Sequence, residues 1–151
     1  MAAFLAACGG FLLAVLWMDL MFDVQALRGA AAPAALPDPV LASIAAYYRR
    51  VTTEADPMGR LVGVVMGLAA FAAFVQLFHG RGPFAVRVTS LLLLAAPLAL
   101  AARRVFPNAV RLGARGDPPE VQSALARSIG RDHLLCLASI GAFVAIEVAL
   151  A

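Results

Sequence analysis

Four long apolar runs, separated by polar connections, dominate the sequence. They cover approximately residues 3–21, 61–78, 84–102 and 133–150. A helix of roughly 20 apolar residues crosses the ~30 Å hydrocarbon core of a bilayer, and each run approaches that length. Because a helix satisfies its own backbone hydrogen bonds inside lipid, the pattern predicts an all-α fold, an integral membrane four-helix bundle.

The connection between the first two runs carries a second periodic pattern. A Pro/Ala-rich linker over 27–39 ends in Asp38 and Pro39, which is typical of a helix start. Apolar residues then recur at helical spacing, which predicts a cytoplasmic amphipathic helix along the membrane surface, with its tyrosines among the headgroups. Asp56 and Pro57 repeat the start signal before the second span. The apolar positions of this helix are Val40, Leu41, Ile44, Tyr47, Tyr48 and Val51.

Capping and breaking residues predict the boundaries in the second half of the chain. The third span is expected to continue through a kink at Pro107 and to end at a Gly113 cap. Asp117 and Glu120 have the spacing of a capping box. A last helix from Pro118 to the final residue would have about 34 residues and a length of roughly 50 Å. Since this exceeds the thickness of the hydrocarbon core, the helix should project into the cytoplasm.

The composition agrees with a membrane protein and argues against nucleic-acid binding. Of the 151 residues, 63% are hydrophobic and 14% are charged, and the mean hydropathy is +0.89. A chain of this size has room for one domain, residues 1–151, with the lipid bilayer as its principal partner. The net charge of +3 comes from arginines in the connections, so no nucleic-acid partner is predicted.

The distribution of arginine predicts the orientation of the spans. Ten arginines lie in or beside the first and third connections, and two flank the second. Positively charged connections remain in the cytoplasm, so both termini are expected outside it, in a bacterial inner (plasma) membrane. The ten are Arg28, Arg49, Arg50, Arg60, Arg103, Arg104, Arg111, Arg115, Arg127 and Arg131, and the two are Arg81 and Arg87.

Two aspartates, Asp19 and Asp23, interrupt the end of the first apolar run. Their spacing of four residues places both carboxylates on one face of the helix. The predicted topology brings polar residues of the third and fourth spans to the same level, which suggests an inward-facing polar cluster. One interpretation is an ion-pair lock that fixes helix order, and the other is a ligand or proton site. The remaining members are Arg103, Arg104, Arg131, Asp132 and His133.

The sequence predicts no metal and no cofactor. Asp19, Asp23 and His133 could provide a carboxylate-histidine set, but they lack the spacings typical of metal sites. Cys8 and Cys136 lie in different spans and form no CxxC motif.

Two further groups of residues mark the second span. Gly59, Gly63 and Gly67 share one helix face and predict a close packing seam, either within the chain or against another subunit. Near the other end of this span lie Gln76 and His79. Together with Glu147 of the fourth span, they form a second polar group that is expected to face the headgroups.

The order of these landmarks resembles the anthrone-oxygenase-like family of small four-helix membrane proteins. The matching features are "AAYYRR" before the second span, Asn108 in "FPNAVRL", and Arg131 and His133 in "GRDHLLCL". The resemblance covers the whole architecture through short motifs, and the family's tryptophan before and arginine after the histidine are absent. It implies a cofactor-independent oxygenase or a relative of one, with Asn108, Arg131 and His133 as the matching polar positions.

Two classes of function follow from these features. The first is a non-catalytic accessory subunit or small-ligand-binding protein, in a homo-oligomer or a larger membrane complex, in which the polar cluster locks the bundle. The second is an enzyme acting on an aromatic or lipid-like substrate, with His133 as general base and arginines stabilising negative charge. An interior pocket reached by His133 and Asn108 would favour the enzyme. A packed bundle with each aspartate paired to arginine would favour the lock.

Overall fold

The fold is all-α over the residues that the computed structural model describes, which are 1–28, 35–54 and 56–151. The linker residues 29–34 and the predicted capping side chain of Asp56 lie outside this part. Short π-helical turns follow α2 at Arg50–Glu54 and join α4 to α5 at Ala101–Val105. The helices are α1 (Ala2–Leu27), α2 (Asp38–Arg49), α3 (Asp56–His79), α4 (Phe84–Leu100), α5 (Phe106–Ala114) and α6 (Pro119–Leu150).

Within the described ranges, four continuous helical segments are long and apolar enough to cross a membrane, as the four apolar runs predict. Each is longer than its run because the polar flanks are helical too. Many large apolar side chains point outward, among them Phe71 and Leu135, as the surface of a multi-pass membrane protein requires. The segments are Ala2–Leu27, Pro57–His79, Phe84–Ala114 and Pro119–Leu150.

The interior contains two apolar clusters. In the first, side chains from α1, α3, α4 and the second half of α6 pack together. The second joins the end of α1 to α2, the Val105 turn, α5 and the first half of α6. Helix α6 has 32 residues, which is about 48 Å, so it is long enough to take part in both clusters. The most extensive helix pair is α1 with α6.

Two prolines shape the third span, and each has a local consequence. Pro97 has no N–H, so the Leu93 carbonyl one turn earlier loses its usual partner, and the Ser139 hydroxyl of α6 donates to it at 2.7 Å. Pro107 is the residue that the sequence predicts to kink this span. Just before Pro107 the helix forms a π turn over Ala101–Val105, in which the Phe106 N–H donates to the Ala101 carbonyl, five residues back.

Helix α2 begins where its sequence pattern predicts, but its apolar face packs on protein. Leu41, Ile44 and Tyr48 are buried against α5, α6 and the end of α1. The close approach to α5 requires Gly113, because a Cβ atom there would lie 2.8 Å from the Arg49 backbone nitrogen. The expectation that the tyrosines lie among headgroups is therefore wrong for Tyr48, which is 2% exposed.

Three predicted helix caps differ from those observed. Asp38 begins α2 without a capping hydrogen bond and forms an ion pair with Arg115. Asp117 does not cap α6, because its carboxylate accepts two hydrogen bonds from Arg111, whose guanidinium lowers the pKa of Asp117. Helix α5 ends at left-handed Arg115 (φ 52°), since Gly113 is needed inside the helix for contact with α2.

The glycine stripe of α3 does not form an intramolecular seam. Cβ atoms placed on Gly63 and Gly67 would meet no atom within 4 Å, and one on Gly59 would meet only the Val51 carbonyl at 3.8 Å. The interpretation of the stripe as a seam within the chain is therefore wrong, since two of the three glycines face outward.

Candidate functional site

A close approach of α6 to α1 creates the central polar group. Gly130 makes it possible, because a Cβ atom at that position would lie 3.2 Å from the Asp23 Cβ and 3.3 Å from Leu27. His133 follows Gly130 by about one helical turn and therefore lies on the same face of α6. Both Asp23 and His133 are almost completely removed from solvent.

Asp23 accepts hydrogen bonds from two other helices. The Tyr48 hydroxyl of α2 donates to Asp23 Oδ1 at 2.6 Å, and His133 Nδ1 of α6 lies 2.6 Å from Asp23 Oδ2. An ionised carboxylate can only accept, so the histidine is assigned with a proton on Nδ1. This arrangement fixes the ring and directs Nε2 away from Asp23.

Asp19 lies one turn earlier and repeats the pattern at a less buried level. The Tyr47 hydroxyl donates to Asp19 Oδ1 at 2.6 Å, and the Tyr47 ring stacks on Phe22 with centroids 4.0 Å apart. His133 Nε2 is 3.8 Å from Asp19 Oδ2, which is too far for a direct hydrogen bond. We call the five residues Asp19, Asp23, Tyr47, Tyr48 and His133 the Asp/Tyr/His cluster.

The two tyrosines of the cluster are held as neutral hydrogen-bond donors. Burial raises the pKa of both phenols, and the adjacent carboxylates of Asp19 and Asp23 raise it further. A phenolate beside a carboxylate would place two negative charges in contact away from water. Tyr47 and Tyr48 therefore donate across the whole physiological pH range.

The cluster borders an apolar cavity of about 330 Å³. Asp19, Tyr47, Tyr48 and His133 contribute to its wall, whereas Asp23 does not. Both π turns also line it, through Val51 and Thr52 and through Ala101 and Val105, and π turns in helices are frequent at functional sites. The apolar wall includes Leu12, Leu16, Val62, Met66, Leu98, Phe106 and Ile140.

The arginines expected to pair with the aspartates are elsewhere. Arg103 and Arg131 are exposed, and the described residues show no contact between either of them and Asp19 or Asp23. Arg104 pairs with a different carboxylate, since its Nη2 lies 3.4 Å from the buried Asp132 Oδ2. The tyrosine and histidine contacts replace the predicted arginine collar around the two aspartates.

The positions matched by the family resemblance do not converge. His133 lines the cavity, Asn108 is half-buried on α5 outside the cavity wall, and Arg131 is exposed. The sequence placed Tyr47 and Tyr48 on the apolar face of α2 and in the matching segment "AAYYRR", but did not predict them as partners of the aspartates. An indirect sequence signal for the two tyrosines was present. Two buried carboxylates need hydrogen-bond donors, and adjacent tyrosines on the apolar face of a nearby helix can provide them.

The second polar group is also buried, in contrast to its predicted place among headgroups. Gln76 and Glu147 are 5% and 0% exposed and contact each other, and Ser90 of α4 joins them. Only His79 of the predicted group is exposed. Among the described residues, no group of three or more His, Cys, Asp or Glu side chains is arranged to hold a metal ion.

Comparison with protein-family models, curated proteins and solved structures finds no match to this chain.

Proposed function

We propose that the protein binds a small, largely apolar ligand inside the membrane. The observation that carries the proposal is the position of Asp19 and His133 in the wall of an otherwise apolar cavity of about 330 Å³. Binding sites for small molecules are typically apolar with a few fixed polar groups. The ligand would place its apolar body against α3 and α4 and a hydrogen-bond donor near Asp19 and His133.

The polar end of the cavity favours a ligand that donates a proton or a hydrogen bond. The free oxygen of Asp19 and Nε2 of His133 are acceptors when Asp19 is ionised and His133 is neutral. Tyr47 and Tyr48 already donate to carboxylates, so they are occupied. A phenol or another weak acid with a fused apolar ring system has the required properties.

A cavity-filling variant with a neighbouring control tests ligand binding. Ala101 lines the cavity, whereas Ala102 on the same turn is exposed. We expect 2-naphthol to raise the unfolding temperature of the wild type and of Ala102→Phe, and to have little effect on Ala101→Phe. A ligand at about 100 times its Kd stabilises a protein by ~2.7 kcal/mol, which is readily measured. Equal shifts in Ala101→Phe and Ala102→Phe would refute binding in this cavity.

The hydrogen bond between Asp23 and His133 favours a second candidate, a cofactor-independent enzyme of the anthrone-oxygenase-like kind. A carboxylate on Nδ1 orients the imidazole and stabilises its protonated form, so Nε2 could accept a proton from an acidic substrate. Anthrone is a suitable probe, since its oxidation by O₂ gives anthraquinone and water. Catalysis above background that is lost in His133→Gln would favour the enzyme, and binding without turnover would favour the ligand-binding protein.

We also propose the cellular setting that the arginine distribution suggests. The chain would span a bacterial inner membrane four times with both termini outside the cytoplasm. The Asp/Tyr/His cluster would then lie towards the cytoplasmic side, near exposed Arg103 and Arg131. Single cysteines in the connections, introduced in a background without Cys8 and Cys136, would test this orientation. External sites should react with an impermeant reagent in intact cells, and cytoplasmic sites only after the membrane is opened.

A further inference from the structure

The wall of the cavity reaches the outer surface of the bundle at three apolar side chains. Met18, Met58 and Phe106 line the cavity, and they are also 51%, 49% and 49% exposed. They belong to three different helices, α1, α3 and α5. All other residues of the wall, including every polar one, are buried or only partly exposed. We call the place where Met18, Met58 and Phe106 lie the side opening.

The first half of α3 leaves this part of the wall loosely packed. Helix α3 packs against α1, α4 and the π turn Arg50–Glu54. Residues 57–68 are all described and none of them is buried, whereas the buried residues of α3 lie between Ala69 and Gln76. A segment with few buried contacts opens at a low cost in free energy. A chain-like ligand can therefore pass beside the first half of α3 without disrupting the interior of the bundle.

The side opening lies next to the polar end of the cavity and within the apolar segments. Asp19 directly follows Met18 in the sequence, and its side chain is 14% exposed. Met18, Met58 and Phe106 all fall in segments that are long and apolar enough to cross a membrane. In a bilayer, an opening bordered by apolar side chains would meet the hydrocarbon chains of lipids.

The size of the cavity limits how much of a ligand it encloses. An apolar cavity of about 150 Å³ holds one benzene molecule, so a cavity of about 330 Å³ suits a head group of roughly two rings. A long hydrocarbon chain attached to such a head group would not fit in the same space. The chain would have to leave the cavity, and the side opening connects it with an apolar environment.

We propose that the ligand is a single-chain lipid with an aromatic, hydrogen-bond-donating head group, and that it is taken up from the bilayer. Its head group occupies the cavity and donates to Asp19 or His133, and its hydrocarbon chain extends past Met18 and Met58 into the surrounding lipid. The chain remains in apolar surroundings throughout, so it adds no cost of exposure to water. This assignment rests on the proposed binding function of the cavity.

A series of esters with one head group tests whether the chain can leave the cavity. Methyl, butyl, octyl and dodecyl 4-hydroxybenzoate share a phenol and differ only in chain length. Unfolding temperatures of the full chain in mixed micelles are compared at equal mole fractions of ester in the micelles. We expect the dodecyl ester to raise the unfolding temperature of the wild type and of Ala102→Phe at least as much as the butyl ester does. No ester should stabilise Ala101→Phe, in which the cavity is filled.

Spin labels on α1 locate the chain. Met18 and Met21 are one turn apart and similarly exposed, at 51% and 57%, but only Met18 lines the cavity. The label is attached to Met18→Cys or Met21→Cys in a background without Cys8 and Cys136. We expect the dodecyl ester to broaden the electron paramagnetic resonance spectrum of the label in Met18→Cys and to leave that in Met21→Cys unchanged.

Two results would overturn the proposal while ligand binding in the cavity stands. The first is stabilisation by the methyl and butyl esters that is absent with the octyl and dodecyl esters, which would show a closed cavity. The second is an equal spectral change in Met18→Cys and Met21→Cys, which would place the chain in bulk lipid. If neither 2-naphthol nor any ester stabilises the wild type, the proposed function fails, and this assignment fails with it. Should a labelled variant not fold, the ester series on the wild type still decides.

Discussion

Removal of the Tyr48 hydroxyl should destabilise the bundle strongly, because the hydroxyl donates a hydrogen bond to a carboxylate that water does not reach. Tyr48→Phe keeps the ring in its apolar surroundings and deletes only the donor to Asp23 Oδ1. Tyr48 is 2% exposed and Asp23 0%. A hydrogen bond to a charged group contributes about 1.5–3 kcal/mol. The unfolded fraction should therefore rise about 10- to 150-fold.

The neighbouring tyrosine provides a matched control for the same chemistry at lower burial. Tyr47→Phe also removes a hydroxyl that donates to a carboxylate at 2.6 Å. The Asp19 side chain is 14% exposed and borders the cavity, so water can take the place of the lost donor. The Phe ring keeps its stacking on Phe22, and we expect a smaller loss of about 0.5–1.5 kcal/mol.

Equilibrium unfolding in mixed micelles, followed by far-UV circular dichroism at neutral pH, would measure both variants. The expected order is Tyr48→Phe less stable than Tyr47→Phe, and Tyr47→Phe less stable than the wild type. If Tyr47→Phe lost as much stability as Tyr48→Phe, burial of the carboxylate would not govern the effect. A double-mutant cycle of Tyr48→Phe with Asp23→Ala, which leaves no acceptor, then measures the pairwise coupling, expected at about 0.5–3 kcal/mol.

Gly113→Ala should displace α2, because its Cβ would lie 2.8 Å from the Arg49 backbone nitrogen, whereas Gly63→Ala meets no atom within 4 Å. Thermal unfolding and amide exchange in α2 should show that Gly113→Ala loses stability. Gly63→Ala should keep its stability or gain about 0.4–1 kcal/mol. Equal effects of the two substitutions would contradict the close approach of α2 to α5. Since burial and the neighbouring carboxylates raise the pKa of Tyr47 and Tyr48, ultraviolet titration of the folded protein should show no phenolate near pH ~10, where the unfolded chain ionises. The two phenols then stabilise the folded protein below pH ~10, and this contribution is lost as the pH rises further. If they ionised near pH ~10 in the folded protein as well, they would not be buried donors.

The spans were predictable because their signal is local. A run of about 20 apolar residues specifies a membrane-crossing helix without reference to the rest of the chain. The start of α2 at Asp38 was equally visible, since proline and helical periodicity are local features. The caps were predicted less well, because Asp117 and Gly113 found stronger partners in Arg111 and α2.

The contacts of the site were not predictable in the same way, because they depend on how α2 docks. Charge complementarity suggested arginine partners for Asp19 and Asp23. Arg103 and Arg131 are instead exposed on the outside of the bundle. The tyrosine donors come from α2, and only the packing of that helix against α5 and α6 brings them to the carboxylates.

The two interpretations of the aspartate pair, a lock or a binding site, apply to different residues. Asp23 is completely buried, contacts α2 and α6 through Tyr48 and His133, and does not reach the cavity, so its carboxylate joins helices and orients the imidazole. Asp19 and His133 border the cavity, where a ligand would meet them, and His133 Nε2 lies 3.8 Å from Asp19 Oδ2. Because Tyr48 and Asp23 fix the ring without any ligand, the acceptors at the cavity wall are positioned before binding, which lowers the cost of ordering them. The lock is therefore a precondition of the site that we propose.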